Sequence, residues 1–204
     1  MIQSLDCDVR RIAVVAEDDL WFFGRRCSLH YDGVSWLRLP SGQVSDELQV
    51  LGPEQVLGMD SRYLSRFDGR RWDRLFETTG EASGMWAAAA DSIWVADGGD
   101  IYHWDGQSYT LAYATGEGER VAGIWGRAAD DVWAYGGAET AGQVLLAHYD
   151  GSGWQRVPLE PAGRVHSLWA AAADDAWAVG ATPDGAPLLL RWDGSRWTQQ
   201  ASPV

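Results

Sequence analysis

The chain has 204 residues and a mass of 22.4 kDa, with 29 acidic against 16 basic side chains and a formal charge of −13. Hydrophobic residues at 46% and charged residues at 22% fit a folded globular protein and exclude a disordered one. There are 13 Trp and 24 Gly but no Lys and no Asn, which excludes P-loop, Schiff-base and Ser-Lys chemistry together with N-glycosylation. The charge also argues against nucleic acid or an anionic membrane surface as partner through bulk electrostatics. No apolar run approaches the ~20 residues of a membrane span. Met1 to Arg11 lacks the basic-then-apolar pattern of a signal peptide, so a cytoplasmic location is expected unless a leader has been removed. Cys7 and Cys27 show no CxxC spacing and are expected to be free thiols.

Taken in chain order, one triplet recurs five times: Tyr31-Asp32-Gly33, Phe67-Asp68-Gly69, Trp104-Asp105-Gly106, Tyr149-Asp150-Gly151 and Trp192-Asp193-Gly194. Three residues after each Gly stands an aromatic: Trp36, Trp72, Tyr109, Trp154 and Trp197. Upstream lies a second anchor, Trp21, Leu57, Trp94, Trp133 and Trp177, and Asp18-Asp19, Asp91-Ser92, Asp130-Asp131 and Asp174-Asp175 precede four of these. Eight residues earlier still, copies three to five carry Trp86, Trp125 and Trp169. Each copy reads as four short strands, A to D. In the last, A covers 165–171, B 176–180, C 187–192 and D 197–201, with a tight Asp-Gly hairpin turn between C and D. No helical periodicity of useful length interrupts them.

A four-stranded unit of about 40 residues repeated in series is the signature of a β-propeller blade. Asp131-Val132-Trp133-Ala134-Tyr135-Gly136 followed by His148-Tyr149-Asp150-Gly151-Ser152-Gly153-Trp154 resembles the Trp-rich bacterial propeller repeats of the form DVWAVG…HWDGxxW. The hairpin is similar to kelch and Asp-box turns, with its Asp one place nearer the Trp than in an Asp box. The resemblance implies an architecture rather than an activity. The expected fold is all-β, a five-bladed propeller in a single domain, with blades at about 8–43, 44–80, 81–119, 120–163 and 164–204. A closed ring sealed by packing is expected, with an open arc completing a larger ring as the alternative, and residues 1–6 are a candidate outer strand for blade five.

In such a fold the A–B and C–D turns share one face and the B–C and D–A loops the other. The repeated acids of the turns read as turn chemistry rather than a ring of cation sites, and the repeat-position Trp residues as packing, although Trp86, Trp125 and Trp169 on the inner strand could edge the channel. His30, His103 and His148 share one blade position, where Arg66 and Arg191 stand in the other blades, whereas His166 aligns with Ser83 and Ala122 and stands out. From the strand-B anchor to the triplet Asp takes 11 residues in blades one to three, but 17 in blade four and 16 in blade five. That places longer B–C loops near 137–143 and 181–186 and predicts one asymmetric site. Its candidate residues are Glu117, Glu119, Arg120, Glu139, Arg164, His166 and Asp184. A second candidate partner surface is Arg25, Arg26, Arg70 and Arg71, since residues 1–74 carry a net −2 and residues 75–204 a net −11.

No GxSxG, HExxH, P-loop or paired Cys/His spacing is present, and no catalytic residue, metal centre or cofactor is expected. The expected function is a non-enzymatic binding or scaffold module engaging a protein or peptide through the B–C and D–A loop face. The first alternative is a lectin, against which the unlike loops count. The second is a hydrolase-like enzyme with Glu117, Glu119, Asp97 or Asp100 around a metal, in which Asp97-Gly98-Gly99-Asp100 could hold Ca²⁺.

Overall fold

In a computed structural model the described residues are 9–24, 27–39, 47–52, 55–138, 142, 144–159 and 162–201. They form twenty strands and no helix. The first sheet comprises β1 (Val9–Ala16), β2 (Asp19–Gly24), β3 (Cys27–Tyr31) and β4 (Trp36–Leu39). The second comprises β5 (Glu47–Gly52), β6 (Gln55–Met59), β7 (Tyr63–Phe67) and β8 (Trp72–Glu77). The third comprises β9 (Ala82–Ala89), β10 (Ser92–Asp97), β11 (Asp100–Trp104) and β12 (Tyr109–Tyr113). The fourth comprises β13 (Glu119–Ala128), β14 (Asp131–Ala138), β15 (Val144–Tyr149) and β16 (Trp154–Arg156). The last comprises β17 (Arg164–Ala172), β18 (Asp175–Ala181), β19 (Pro187–Trp192) and β20 (Trp197–Gln199).

Every sheet is an antiparallel meander in sequence order, so each strand pairs only with its chain neighbours. This is a five-bladed β-propeller, as the repeat predicts. The chain divides into two compact units, residues 1–78 with the first two blades and 79–204 with the last three.

Within each unit the anchors explain the repeat. Trp21, Trp94 and Trp133 are at most 5% exposed. Each meets, from the following blade, the aromatics that flank the Asp-Gly turn. Trp21 lies edge-on to Phe67, Trp94 edge-on to Trp154, and Trp133 edge-on to Trp197 with centroids 5.4 Å apart. Such pairs add to the area that these side chains already bury. Leu57 takes the same place in blade two and is fully buried. On the inner strands Trp86 lies against Gly126 of the next blade, where a Cβ would stand only 2.6 Å from the indole ring. Trp125 packs against the core of blades four and five. Trp169 is 57% exposed.

The C–D turn is the tight connection expected, but its positive φ falls on the Gly and not on the Asp-Gly pair. Tyr31 pairs with Trp36, and Trp192 with Trp197, leaving four residues in the loop. Only the Gly takes positive φ, between 84° and 93° in the five copies. The Asp keeps negative φ because its carboxylate closes the loop instead, accepting the backbone N–H groups two and three residues on.

Candidate functional site

At the turn end of the sheets the side chains are committed to one another. Asp32, Asp68, Asp105, Asp150 and Asp193 each accept two backbone N–H groups at 2.7 to 3.2 Å. These bonds hold the carboxyls below the usual range, with Asp150 and Asp193, which also accept a serine hydroxyl, at about 2. A Cβ on the turn Gly in blades one, three, four and five would come within 2.8 to 3.0 Å of the Cβ of Asp18, Asp91, Asp130 or Asp174. The first residue of each A–B acidic pair therefore packs on the C–D turn. The second reaches across the sheet. His30 Nε2 bonds Asp19 and His148 Nε2 bonds Asp131, both at 2.8 Å, and since a carboxylate only accepts, the proton sits on Nε2. Asp131 also takes Arg127 Nε at 2.8 Å.

The imidazoles stack on the anchors, with ring centroids 3.9 to 4.2 Å from Trp21, Trp94 and Trp133. In blade three Ser92 replaces the acid and meets His103 at 3.3 Å, and burial lowers the pKa of that imidazole. In blade five Arg191 takes over, 3.5 Å from Asp175 and over the Trp177 ring. The recurring histidines are thus blade supports.

At the loop end the described acids of blades three and four have partners of other kinds. Asp97, 1% exposed, accepts Thr79 N and Oγ1, Gly80 N and the Tyr109 hydroxyl at 2.6 to 3.0 Å. Burial, then the Asp97 charge, pushes the Tyr109 hydroxyl far above the ordinary phenol range, so it stays protonated and donates. Asp100 accepts Thr115 N and Oγ1 at 2.8 and 2.9 Å. Glu119 receives both terminal nitrogens of Arg156 at 2.7 Å and Gly116 N at 3.1 Å, and Arg156 holds its carboxyl below the usual range. Asp97, Asp100 and Glu119 therefore all face protein donors. Among the described residues no three His, Cys, Asp or Glu converge on a point that could hold a metal.

A pocket of about 380 Å³ opens where the inner strands of blades three, four and five begin. It is lined by Glu81, Ala82, Ser83, Gly99, Arg120, Val121, Ala122 and Arg164. Glu81, Arg120 and Arg164 stand at one repeat position, five residues before Trp86, Trp125 and Trp169. The wall is stitched by two bonds: Ser83 Oγ donates to Val121 O at 2.8 Å, and Val121 N donates to Gly99 O at 3.0 Å. The Arg120 stem passes 3.5 Å from where a Cβ on Gly99 would lie, and Arg164 Cβ 3.3 Å from the equivalent point on Gly137. Glycine at these two places lets both side-chain stems pass close to the neighbouring backbone. Gly163, with φ of 145°, bonds Gly142 O and sits 2.5 Å, at its would-be Cβ, from Ala181 O. It thus touches the B–C connections of both blade four and blade five.

The structure brings Arg120 and Arg164 together in this pocket. It places Glu119 in its pair with Arg156 and Glu117 exposed in the turn before β13. His166 is exposed on β17 outside the pocket lining. Asp184 lies in the blade-five B–C loop and accepts Thr182 Oγ1 at 2.5 Å, which lowers its pKa. Arg70 and Arg71 are exposed in the blade-two C–D turn, with Arg71 Nε 3.1 Å from Asp73. Glu139, Arg25, Arg26, Cys7 and residues 1–6 lie outside the described residues, as does the side chain of Cys27. Glu81 escaped the sequence reading. Its signal was there in the repeat register, five residues before Trp86, where Arg120 and Arg164 stand in the next two copies.

No protein-family model and no curated protein matches the chain. Among solved structures it is similar to YCF48 bound to D1 peptide, with 16% identity and a TM-score of 0.69 over 98% of this chain and 70% of that one. The WD40 β-propeller domain of Doa1 matches with 12% identity and a TM-score of 0.63, over 94% and 67%. The Aleuria aurantia lectin in complex with Fucα1-6GlcNAc matches with 14% identity and a TM-score of 0.53, over 90% and 73%. These likenesses establish a β-propeller repeat fold, one used by proteins that bind peptides and by proteins that bind sugars.

Proposed function

We propose that this protein is a non-enzymatic binding module that engages a protein or peptide through the B–C and D–A loop face of blades three to five. The observation that carries the reading is the pocket at the start of β9, β13 and β17, where one repeat position presents Glu81, Arg120 and Arg164 in turn. A single asymmetric site of this kind suits an extended chain, because neighbouring subsites differ in charge. Repeated sugar sites would instead need like residues in each blade. The hydrogen-bonded state of Asp97, Asp100 and Glu119 also supports binding over hydrolysis. We further read the blades as the Trp-rich bacterial type, on the joint register of acid, anchor Trp, His and aromatic-Asp-Gly seen best in blade four.

The test is selection of peptides from a random display library on the full chain, followed by binding to three variants. Loss of binding in Arg120→Ala and in a shortened 182–186 loop, with binding kept in Arg70→Ala/Arg71→Ala, is the expected result. Peptides lost only on changing Arg70 and Arg71 would move the partner surface to the turn end and sink the reading.

A further inference from the structure

Resting on the peptide-binding reading, we propose that the pocket between β9, β13 and β17 is a carboxylate receptor. It takes the C-terminal carboxylate of a peptide or an Asp or Glu side chain on Arg164, with Arg120 in the same lining. Residues 79–204 hold six Arg. Four are matched to acids: Arg127 to Asp131, Arg156 to Glu119, Arg191 to Asp175 and Arg196 to Asp193, at 2.7 to 3.8 Å. Arg164 is half-buried, and among the described residues its guanidinium has neither an ion-pair nor a hydrogen-bond partner. In a region of net negative charge such a cation is conspicuous. A guanidinium at a pocket without an internal anion is available to an outside one, and a planar carboxylate matches its fork of donors.

The pocket has a second Arg at the same repeat position on the neighbouring strand, so an anion there lies between two inner-strand starts. Its wall is rigid, because the Ser83–Val121 and Val121–Gly99 bonds tie blade three to blade four across the pocket floor. Little ordering is therefore required on binding. Glu81 restricts the class of anion. With a carboxylate in the lining beside the Arg164 guanidinium, the pocket suits a monoanion. A phosphate dianion would meet Glu81 directly and gain less. Glu81 is also an acceptor for the amide N–H groups of a bound peptide.

The experiment is a titration of the full-length, isotopically labelled chain followed at the amide signals of Gly99, Val121 and Ser83. Four probes are compared: an acetylated triglycine with a free C-terminus, the same peptide amidated, an amidated acetyl peptide with one internal aspartate, and inorganic phosphate. The free acid or the aspartate peptide is expected to bind in the millimolar range, as about one charge-assisted contact allows. Response to the free acid alone identifies a chain terminus as the source, and response to the aspartate peptide identifies a side chain. Arg164→Gln is expected to weaken binding about tenfold, and Glu81→Gln to strengthen it about two- to threefold. Arg196→Gln, which removes the same charge at the turn end, is expected to leave binding unchanged, and unaltered thermal melting shows that each variant folds.

Equal binding of amidated triglycine and free acid, or phosphate binding tighter than both, overturns the carboxylate receptor. So does the absence of any response from the carboxylate probes. In all three cases peptides selected by display can still map to the same face, so failure here is distinguishable from failure of the peptide-binding reading.

Discussion

At the turn end of every blade the C–D Asp makes the same two backbone bonds, whereas at the loop end the described residues of blades three to five make different ones. Asp32 and Asp193 stand in the first and the fifth copy and accept the same two backbone donors, two and three residues on. The position that begins the inner strand, by contrast, runs Glu81, Arg120, Arg164 through three successive blades. The difference teaches where a repeat protein keeps its stability and where it is free to vary. The turn end closes each sheet and supports the buried anchor, so substitutions there act on folding. At the loop end the Arg164 guanidinium has no partner among the described residues, so a change there is expected to be read by a ligand rather than by the fold.

The sharpest way to break that division is to delete an anchor. Trp94→Ala is expected to cost about 3–5 kcal/mol in urea unfolding, because it empties a site enclosed by His103 and Trp154. Trp154→Ala, half-buried at the rim of that site, is expected to cost less than Trp94→Ala; the reverse order would dismiss the anchor role.

Gly194→Ala should come next, at about 2–3 kcal/mol, combining a left-handed φ of 89° with a Cβ 2.8 Å from that of Asp174. Gly118→Ala is its control. Its φ is 75° but nothing lies within 4 Å, so only the conformational cost of about 1–2 kcal/mol is expected.

Acid sharpens the comparison in another way. Asp150 and Asp193 titrate near 2 in the folded chain, against about 3.9 when unfolded. A depressed carboxyl stabilises the fold above the unfolded value, and that contribution is lost as pH falls through the folded one. Melting temperature should therefore drop between pH 4 and pH 2. The drop should be shallower in Asp150→Asn/Asp193→Asn; parallel curves would deny these turns a part in acid stability.

The smallest effects belong to the loop end. Arg156→Gln removes a bidentate pair that is partly open to water and is expected to cost about 1 kcal/mol or less. Arg164→Gln should fall within about ±0.5 kcal/mol. A loss of more than 2 kcal/mol by chemical denaturation would make Arg164 a structural residue after all.

Much of the fold was open to reading because its cause is local. Aromatic-Asp-Gly with an aromatic three residues on dictates a hairpin wherever it occurs, since the Gly tolerates positive φ and the Asp satisfies the loop's own N–H groups. The acidic pair could be recognised as repeated, but its two roles could not be separated from spacing. That Asp130 packs on Gly151 while Asp131 bonds His148 is a cross-strand fact. The site was half legible. Arg120 and Arg164 were singled out from chain positions 44 apart, while Glu81 was passed over and Glu119 was selected although it is engaged by Arg156.

By itself, then, the order of residues determined the number of blades, the strands within them and the end of each sheet that varies. Those follow from turn chemistry and period-two burial, which act over a few residues. Only the tertiary structure decided which Arg meets which acid, because pairing depends on strands brought together from different blades. Arg156 found Glu119 across 37 residues of chain, and Arg164, at the start of the next inner strand, was left facing an open pocket.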